Sequence, residues 1–552
     1  MALVALGAAG AVLFLLAPPS TVEVDTSGWA DLAARTAAGA YHVHTTKSDG
    51  HGDRAEVASA AASAGLKFVI LTDHGDATRP PDPPAYIHGV LVLDGVEIST
   101  DHGHIVALDM PRAPYPLGGS AEAVVEDIHR LGGFAIAAHP DSPRPTLRWT
   151  DTAAPIDGIE WINADSEWRD ETRGTLVRAG LAYFLGGGRA IGSLFDRPAT
   201  LDRWNALTRR RPVVAVAAAD AHGGPGERAE DQDRTIFGTV GIPSYEASFR
   251  ALANRVILEK PLSGDAAGDA RAIHAAIRAG RVFSSIDAIA TPALLDLTFE
   301  SGLERASVGS ILPDDADGTL VARVAAPAGS RLSLVREGKV VVTTQGNELR
   351  HVLTAASGAY HVEVLVPGAP GTPPVPWMVS NGIGFFAGAT GARGSQDPTD
   401  AQGAQGAAGG IAPFPWRIEK DPSSSATLRT GETSATLEFK LGEGGRAGQF
   451  VAMGTDIQRQ EFGTIDLTLA GDRPMRVSVQ LRAADGRRWG RSSYVDPAGT
   501  GLRVPVAALA PIGHEGRLIV TEATSLLLVI DLTNAGPGRT GALTVRSSAF
   551  SR

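Results

Sequence analysis

At 552 residues the chain exceeds what one hydrophobic core covers and predicts about three domains of roughly 100–200 residues each. A formal net charge of -11 argues against a binder of phosphate backbones, so no stable nucleic-acid partner is expected. With no cysteine, thiolate ligands and disulfides are excluded, and any metal must be held by histidines and carboxylates.

Residues 1–20 open with an almost wholly apolar run that ends at Ala17-Pro18-Pro19-Ser20. This fits the core of a signal peptide or a short membrane anchor, although the usual basic start is missing. The expected location is therefore extracytoplasmic, either secreted or membrane-anchored. Next, Ala40–Thr45 reads as a buried strand carrying Tyr41-His42-Val43-His44. Residues two apart on a strand share a face, so His42 and His44 could face one metal while Asp49, on the turn beyond, reaches a neighbouring position.

The same local design recurs: an apolar run, then a polar residue at its end. A helix over Asp53–Gly65, capped by Asp53, leads to the strand Phe68–Leu71 and to Asp73-His74. Val90–Leu93 precedes Asp94-Gly95-Val96-Glu97, and Gly103–Leu108 contains His104. A helix over Ser120–Leu131, stopped by Gly132-Gly133, is followed by the strand Phe134–Ala138 and His139. The strand Ile156–Asn163 and a helix over Glu171–Ala179 come next, and Val213–Ala219 then runs into Asp220-Ala221-His222. Strands alternating with helices predict a parallel sheet covered by helices, closed as a barrel, with the chemistry at the strand ends. A helix over Asp265–Gly280 closes this region, which spans 36–290.

Beyond Thr291 the pattern becomes short alternating strands such as Gly318–Val324, Arg331–Val335 and Tyr360–Val366, read as an immunoglobulin-like sandwich over 291–387. Residues 388–413, rich in Gly, Ala and Gln, read as a flexible linker. A second sandwich is predicted over 414–552, from strands including Ala435–Phe439, Thr464–Leu469, Arg476–Leu481 and Leu526–Leu532. The hairpin around Met475-Arg476 and Arg488-Trp489 gives it a galactose-binding-like pattern.

Collected, the strand-end donors are His42, His44, Asp49, His74, Glu97, His104, His139, Asp220 and His222. Such nitrogen and oxygen donors suit Zn, Mn or Fe better than Mg or Ca, and nine of them imply more than one ion. In order, the elements HxH-x4-D, T-D-H, G-V-E, G-H-I-V, A-H-P and D-A-H resemble the PHP (polymerase and histidinol phosphatase) family of metallohydrolases. The resemblance covers about Ala40 to Ala290. It implies a distorted (β/α)7 barrel with a trinuclear centre at the C-terminal strand ends, so two or three divalent ions are expected; the strand pattern beyond Thr291 adds two all-β sandwich domains. It also implies the ligand sets: His42, His44, Glu97 and Asp220 for one ion, Asp49, His74 and His222 for a second, and Glu97, His104 and His139 for a third.

Such a site suits phosphoester hydrolysis of a small-molecule substrate. The family's secreted branch points to an alternative, an aryl ester or carbamate hydrolase. A reading of another class is a cell-surface protein with a structural metal, whose C-terminal domains engage glycan or a partner.

Several further residues are candidates for supporting roles. Asp73 is expected to orient a ligand imidazole. Glu160 and Asn163 are placed to line the pocket, and His51 and His102 read as rim or loop histidines. Arg144, Arg148 and Arg197 lie where they could clamp a phosphate. His129, His274, His351, His361 and His514 read as structural, and Trp377, Trp416, Trp489 and Tyr494 as either an aromatic platform for sugars or core.

Overall fold

The computed structural model describes residues 17–224, 243–387, 414–444, 448–458 and 460–552. The apolar run at 1–16 and the linker expected at 388–413 lie outside the described residues. The chain divides into two compact units. One comprises Met1–Gly75, Pro81–Pro111 and Ile128–Gln396, and the other comprises Asp76–Pro80, Arg112–Asp127 and Asp397–Arg552.

In the first unit the apolar runs are strands buried on both faces. Phe68 and Ile70 enter one core cluster with Leu91, Leu93, Val106, Ile136, Val214 and Val216. Their neighbours Val69 and Leu71 enter another, with Val57, Ala58 and Ala61 of the helix Arg54–Ser63 and with Val90 and Val92. A side-chain period of two explains this split, and burial on both sides explains why the runs are continuous rather than alternating. Each buried Phe, Leu, Ile or Val contributes about 1.5–3 kcal/mol. The covering helix starts where the sequence predicts. Asp53 accepts from the backbone of Ala55 and Glu56, and Glu56 answers on the Asp53 N–H, a reciprocal cap.

The fold is mixed α/β with several sheets. Val96–Thr100, Gly103–Leu108, Phe134–Ala137, Gly158–Asn163 and Val214–Ala218 form one five-stranded sheet in that order. A larger sheet carries Thr36–Ala40, Phe68–Leu71 and Val90–Asp94 as parallel neighbours, with Ala253–Ile257 antiparallel to the first of them. Isolated parallel bridges Val43–Ala221 and His74–Glu97 join positions at the ends of these strands.

Two expectations need correction. The strand that leads into the His-x-His is Thr36–Ala40 rather than Ala40–Thr45, so the His-x-His lies past its end. The sheets are also not wholly parallel, because Val96–Thr100 runs antiparallel to Gly103–Leu108. Only Asp101 and His102 separate those strands, and so short a link allows a hairpin but no crossover.

Residues 294–386 form mostly antiparallel strands, with Ile311–Pro313 parallel to Ile383–Phe386, over a core that includes Trp377, Leu332, Val362 and Phe385. Met378–Ser380 pairs with Val282–Ser285, so the larger sheet continues across position 291 without a break.

The second unit is a β-sandwich. A six-stranded and a five-stranded antiparallel sheet enclose Trp416, Leu437, Val477, Leu481, Trp489 and Leu528. The predicted hairpin is present as Met475–Ala483 paired with Arg488–Val495. Within this unit the buried Arg476 guanidinium donates to both oxygens of Asp127, at 2.6 and 2.9 Å, and to the Ala123 carbonyl at 2.8 Å. Trp377, Trp416 and Trp489 are core residues, which removes them as an exposed aromatic platform. Among the described residues no helix is long and apolar enough to cross a membrane.

Candidate metal centre

The donors arrive at one place by a repeated local device. His42, His139 and Asp220 each stand two residues beyond the end of a strand, after Thr36–Ala40, Phe134–Ala137 and Val214–Ala218. Each has a left-handed backbone, with φ of 63°, 31° and 43°. Side chains other than Gly rarely adopt this region, at a cost of about 1–3 kcal/mol each, and it concentrates at functional sites. His42 and His44 therefore converge through a turn, not through the pleat of a strand.

Glu97 is the hub. Its Oε1 lies 2.7 Å from His104 Nδ1 and 2.8 Å from His139 Nε2. Its Oε2 lies 3.2 Å from each of His42 Nε2, His44 Nε2 and His74 Nδ1. Asp220 Oδ1 stands 3.4 Å from His42 Nε2 and 3.3 Å from His44 Nε2, and those two nitrogens are 3.1 Å apart. Asp49 Oδ2 faces His222 Nε2 at 3.3 Å and His74 Nε2 at 3.6 Å. All nine predicted donors are thus brought into one connected cluster.

Four triads within it could hold a metal ion: His42-His44-Asp220, His42-Glu97-His139, His44-Asp49-His222 and His44-His74-Glu97. The distances pass a simple fit test. Ligand atoms about 2.0–2.1 Å from a tetrahedral ion stand about 3.3 Å from one another. His42 Nε2, His44 Nε2 and Asp220 Oδ1 lie 3.1–3.4 Å from one another, and Glu97 Oε2 lies 3.2 Å from the same two nitrogens.

Outer partners leave the inward nitrogens as electron-pair donors. His42 Nδ1 is 2.6 Å from Glu160 Oε1, His139 Nδ1 is 2.9 Å from the Leu147 carbonyl, and His222 Nδ1 is 2.9 Å from the Asp220 carbonyl. Each pairing places a proton on the outer nitrogen and frees Nε2. Glu160 is fully buried, and its Oε2 also accepts from the His139 N–H at 2.7 Å and from Asn163 Nδ2 at 2.9 Å.

The orienting carboxylate is therefore Glu160. Asp73, expected in that role, instead accepts from Thr45 N, Thr45 Oγ1 and Ser48 Oγ at 2.7–2.8 Å and pins the loop that carries His44 and Asp49. Tyr245 holds the same loop by donating to the His44 carbonyl at 2.8 Å, a contact that nothing in the local sequence signals.

The field of the site favours positive charge. Burial alone would raise Glu97, but His42 and His74, with hydrogen bonds from His104 and His139, hold it well below the usual carboxylate range. Burial alone would depress His44, yet the Asp220 and Glu97 carboxylates push it up to about 10. A buried pocket that draws protons this strongly also suits cations.

The remaining candidates separate cleanly. His51 is an exposed residue against the His222 carbonyl, and His102 is an exposed loop residue against Thr150. Arg197 is committed to Glu363 through Nη1 and Nη2, and Arg148 Nε donates to the Ser142 carbonyl at 2.7 Å. Arg144 Cα lies in the turn after His139, where its N–H donates to Ser142 Oγ. Asn163 donates to Glu160 and to Asp220, so it supports the cluster from behind. His129, His274 and His361 pair with Asp157, Asp109 and Glu363, and His514 lies against Trp489, all consistent with structural roles.

No protein-family model matches the chain. It is 36% identical over 110 residues to an uncharacterized protein of Methanocaldococcus jannaschii, a match covering 19% of this chain and 62% of that protein. Among solved structures, it is similar to a family 11 carbohydrate-binding module from Clostridium thermocellum in complex with a mixed-linked tetrasaccharide. That match has 11% identity and a TM-score of 0.21, and covers 25% of this chain and 88% of that one. It is also similar to an agarase, at 12% identity and a TM-score of 0.18, over 24% of each chain.

Proposed function

We propose that the chain is a metal-dependent hydrolase of the PHP kind, acting as a phosphoesterase on a small-molecule substrate. In this reading the α/β region is a distorted (β/α)7 barrel, and the isolated bridges at Val43–Ala221 and His74–Glu97 mark where its two sheets meet. The apolar sequence at 1–20 serves export or anchoring. The observation that carries the reading is Glu97, a buried carboxylate whose two oxygens are shared among five imidazoles.

Two or three Zn, Mn or Fe ions fit the donor set, held by the nine residues named above. The chemistry such ions supply is Lewis acidity, which lowers the pKa of water and neutralises charge on the phosphoester oxygens. The chain's own part is positional. Glu160 and the carbonyls of Leu147 and Asp220 fix the tautomers of His42, His139 and His222, while Asp73 and Tyr245 hold the His44–Asp49 loop in register.

A second reading keeps the site and changes the bond cleaved, to an aryl ester or carbamate. What favours it is that Arg197, a candidate phosphate clamp, is spent on Glu363. Parallel rates on an aryl phosphate, an aryl ester and an aryl carbamate separate the two. Metal analysis of the purified chain is expected to give at least two transition ions, and Glu97→Gln is expected to lose metal and turnover together. Fewer than two ions with no turnover of any of the three substrates removes the hydrolase, and unchanged metal content in the variant removes the bridging role of Glu97.

A further inference from the structure

The helix Arg173–Gly186 leaves an apolar stripe uncovered. Val177, Leu181, Phe184 and Leu185 recur at helical spacing and are 58%, 51%, 70% and 39% exposed. They make up four of the ten exposed large hydrophobic side chains among the described residues, so this is a patch and not scatter. Within the helix, Ala182 is buried.

Two further observations bear on what covers the stripe. In a chain of net charge -11, the stretch between Glu171 and Asp196 has no acidic residue and three arginines, Arg173, Arg178 and Arg189. In addition, Pro18 is buried against the last turn of this helix. Its Cγ lies 2.3 Å from where a Cβ on Gly186 would stand, and its carbonyl accepts from Arg189. Pro18 therefore stands beside the end of the stripe.

We propose that the helix Arg173–Gly186 is a contact with a phospholipid surface. It lies in the plane of the interface, with the stripe at the acyl boundary and Arg173 and Arg178 at the phosphates. Fourteen residues span about 21 Å, too short for the roughly 30 Å of a hydrocarbon core, so the helix lies on the bilayer and does not cross it. Lipid is favoured over a second copy by charge. Two such helices laid face to face would bring arginines together with no acid from either stretch between them, whereas headgroup phosphates complement them.

The absence of cysteine makes the test direct. In the full chain, Phe184→Cys carries one environment-sensitive fluorophore, with Leu181→Cys as a second reporter and the exposed Ala272→Cys, on the helix Ala266–Arg278, as control. Each is mixed with vesicles of phosphatidylcholine and phosphatidylglycerol doped with spin-labelled acyl chains. The labels at 181 and 184 are expected to shift to the blue and to be quenched several-fold by the spin label, while the label at 272 behaves as in water. Three results overturn the proposal. The labels at 181 and 184 could stay open to aqueous iodide with vesicles present. They could be shielded without lipid at every concentration, which assigns the cover to another part of the chain. They could be shielded without lipid only as concentration rises, which assigns it to a second copy.

Discussion

Glu160→Gln is the sharpest probe of the site, because it removes a charge without changing shape. Both Glu160 oxygens act only as acceptors: Oε1 toward His42 Nδ1 at 2.6 Å, and Oε2 toward the His139 N–H at 2.7 Å and Asn163 Nδ2 at 2.9 Å. A glutamine must turn its NH2 toward one of these. Turned toward His139 and Asn163, it sets donor against donor inside a buried site. Turned toward His42, it drives the imidazole to the other tautomer, with the proton on Nε2, the nitrogen that faces His44, Glu97 and Asp220. A hydrogen bond to a charged group is worth about 1.5–3 kcal/mol, and about 1.4 kcal/mol is a factor of ten, so metal affinity should fall roughly 10- to 100-fold. The assay is competition for Zn or Mn against a fluorescent chelator, with circular dichroism to confirm an intact fold. A folded variant whose affinity stays within about twofold of the parent would refute the tautomer argument.

Gly50→Ala should loosen the centre from its loop, since a Cβ there would stand 2.3 Å from the His44 carbonyl oxygen. Weaker metal binding with a lower melting temperature is expected, and unchanged values would show that the loop gives way freely. Arg476→Ala takes the guanidinium from buried Asp127, which keeps the Tyr115 hydroxyl at 2.8 Å, and should cost about 3–5 kcal/mol, read by denaturant unfolding; a loss under about 1 kcal/mol would mean that the ion pair contributes little here. Burial, with Asp196, Asp170 and Asp141 nearby, pushes Glu167 up to about 8. Because its folded pKa lies above the unfolded value, its contribution is fully present below about pH 4.5 and is lost as pH rises through 8. Glu167→Gln should therefore gain in melting temperature relative to the parent between pH 5 and 8, and parallel curves would contradict this.

The donors were legible because a buried apolar run that stops on His, Asp or Glu states a local contradiction: a polar group placed where the chain has just been burying carbon. Their route to one point was not, since the left-handed turns at His42, His139 and Asp220 carry no glycine or asparagine to announce them. The exchange of roles between Asp73 and Glu160 has the same origin. Its place next to His74 made Asp73 look like the group that orients a ligand imidazole, whereas the pairing His42 with Glu160 spans 118 positions. The hairpin of Val96–Thr100 with Gly103–Leu108 was not anticipated, although its two-residue link is too short for a parallel crossover. Trp377, Trp416 and Trp489 could not be assigned from pattern, because an indole suits a core and a sugar platform equally and only burial decides.

The sharing of Glu97 has a consequence for anyone wishing to retune this centre. With both oxygens divided among five rings, a change made to favour one ion alters the field felt by its neighbours, so substitutions across the cluster should be strongly non-additive. Redesign would have to replace the whole constellation in a single step, because intermediate versions disturb every position at once.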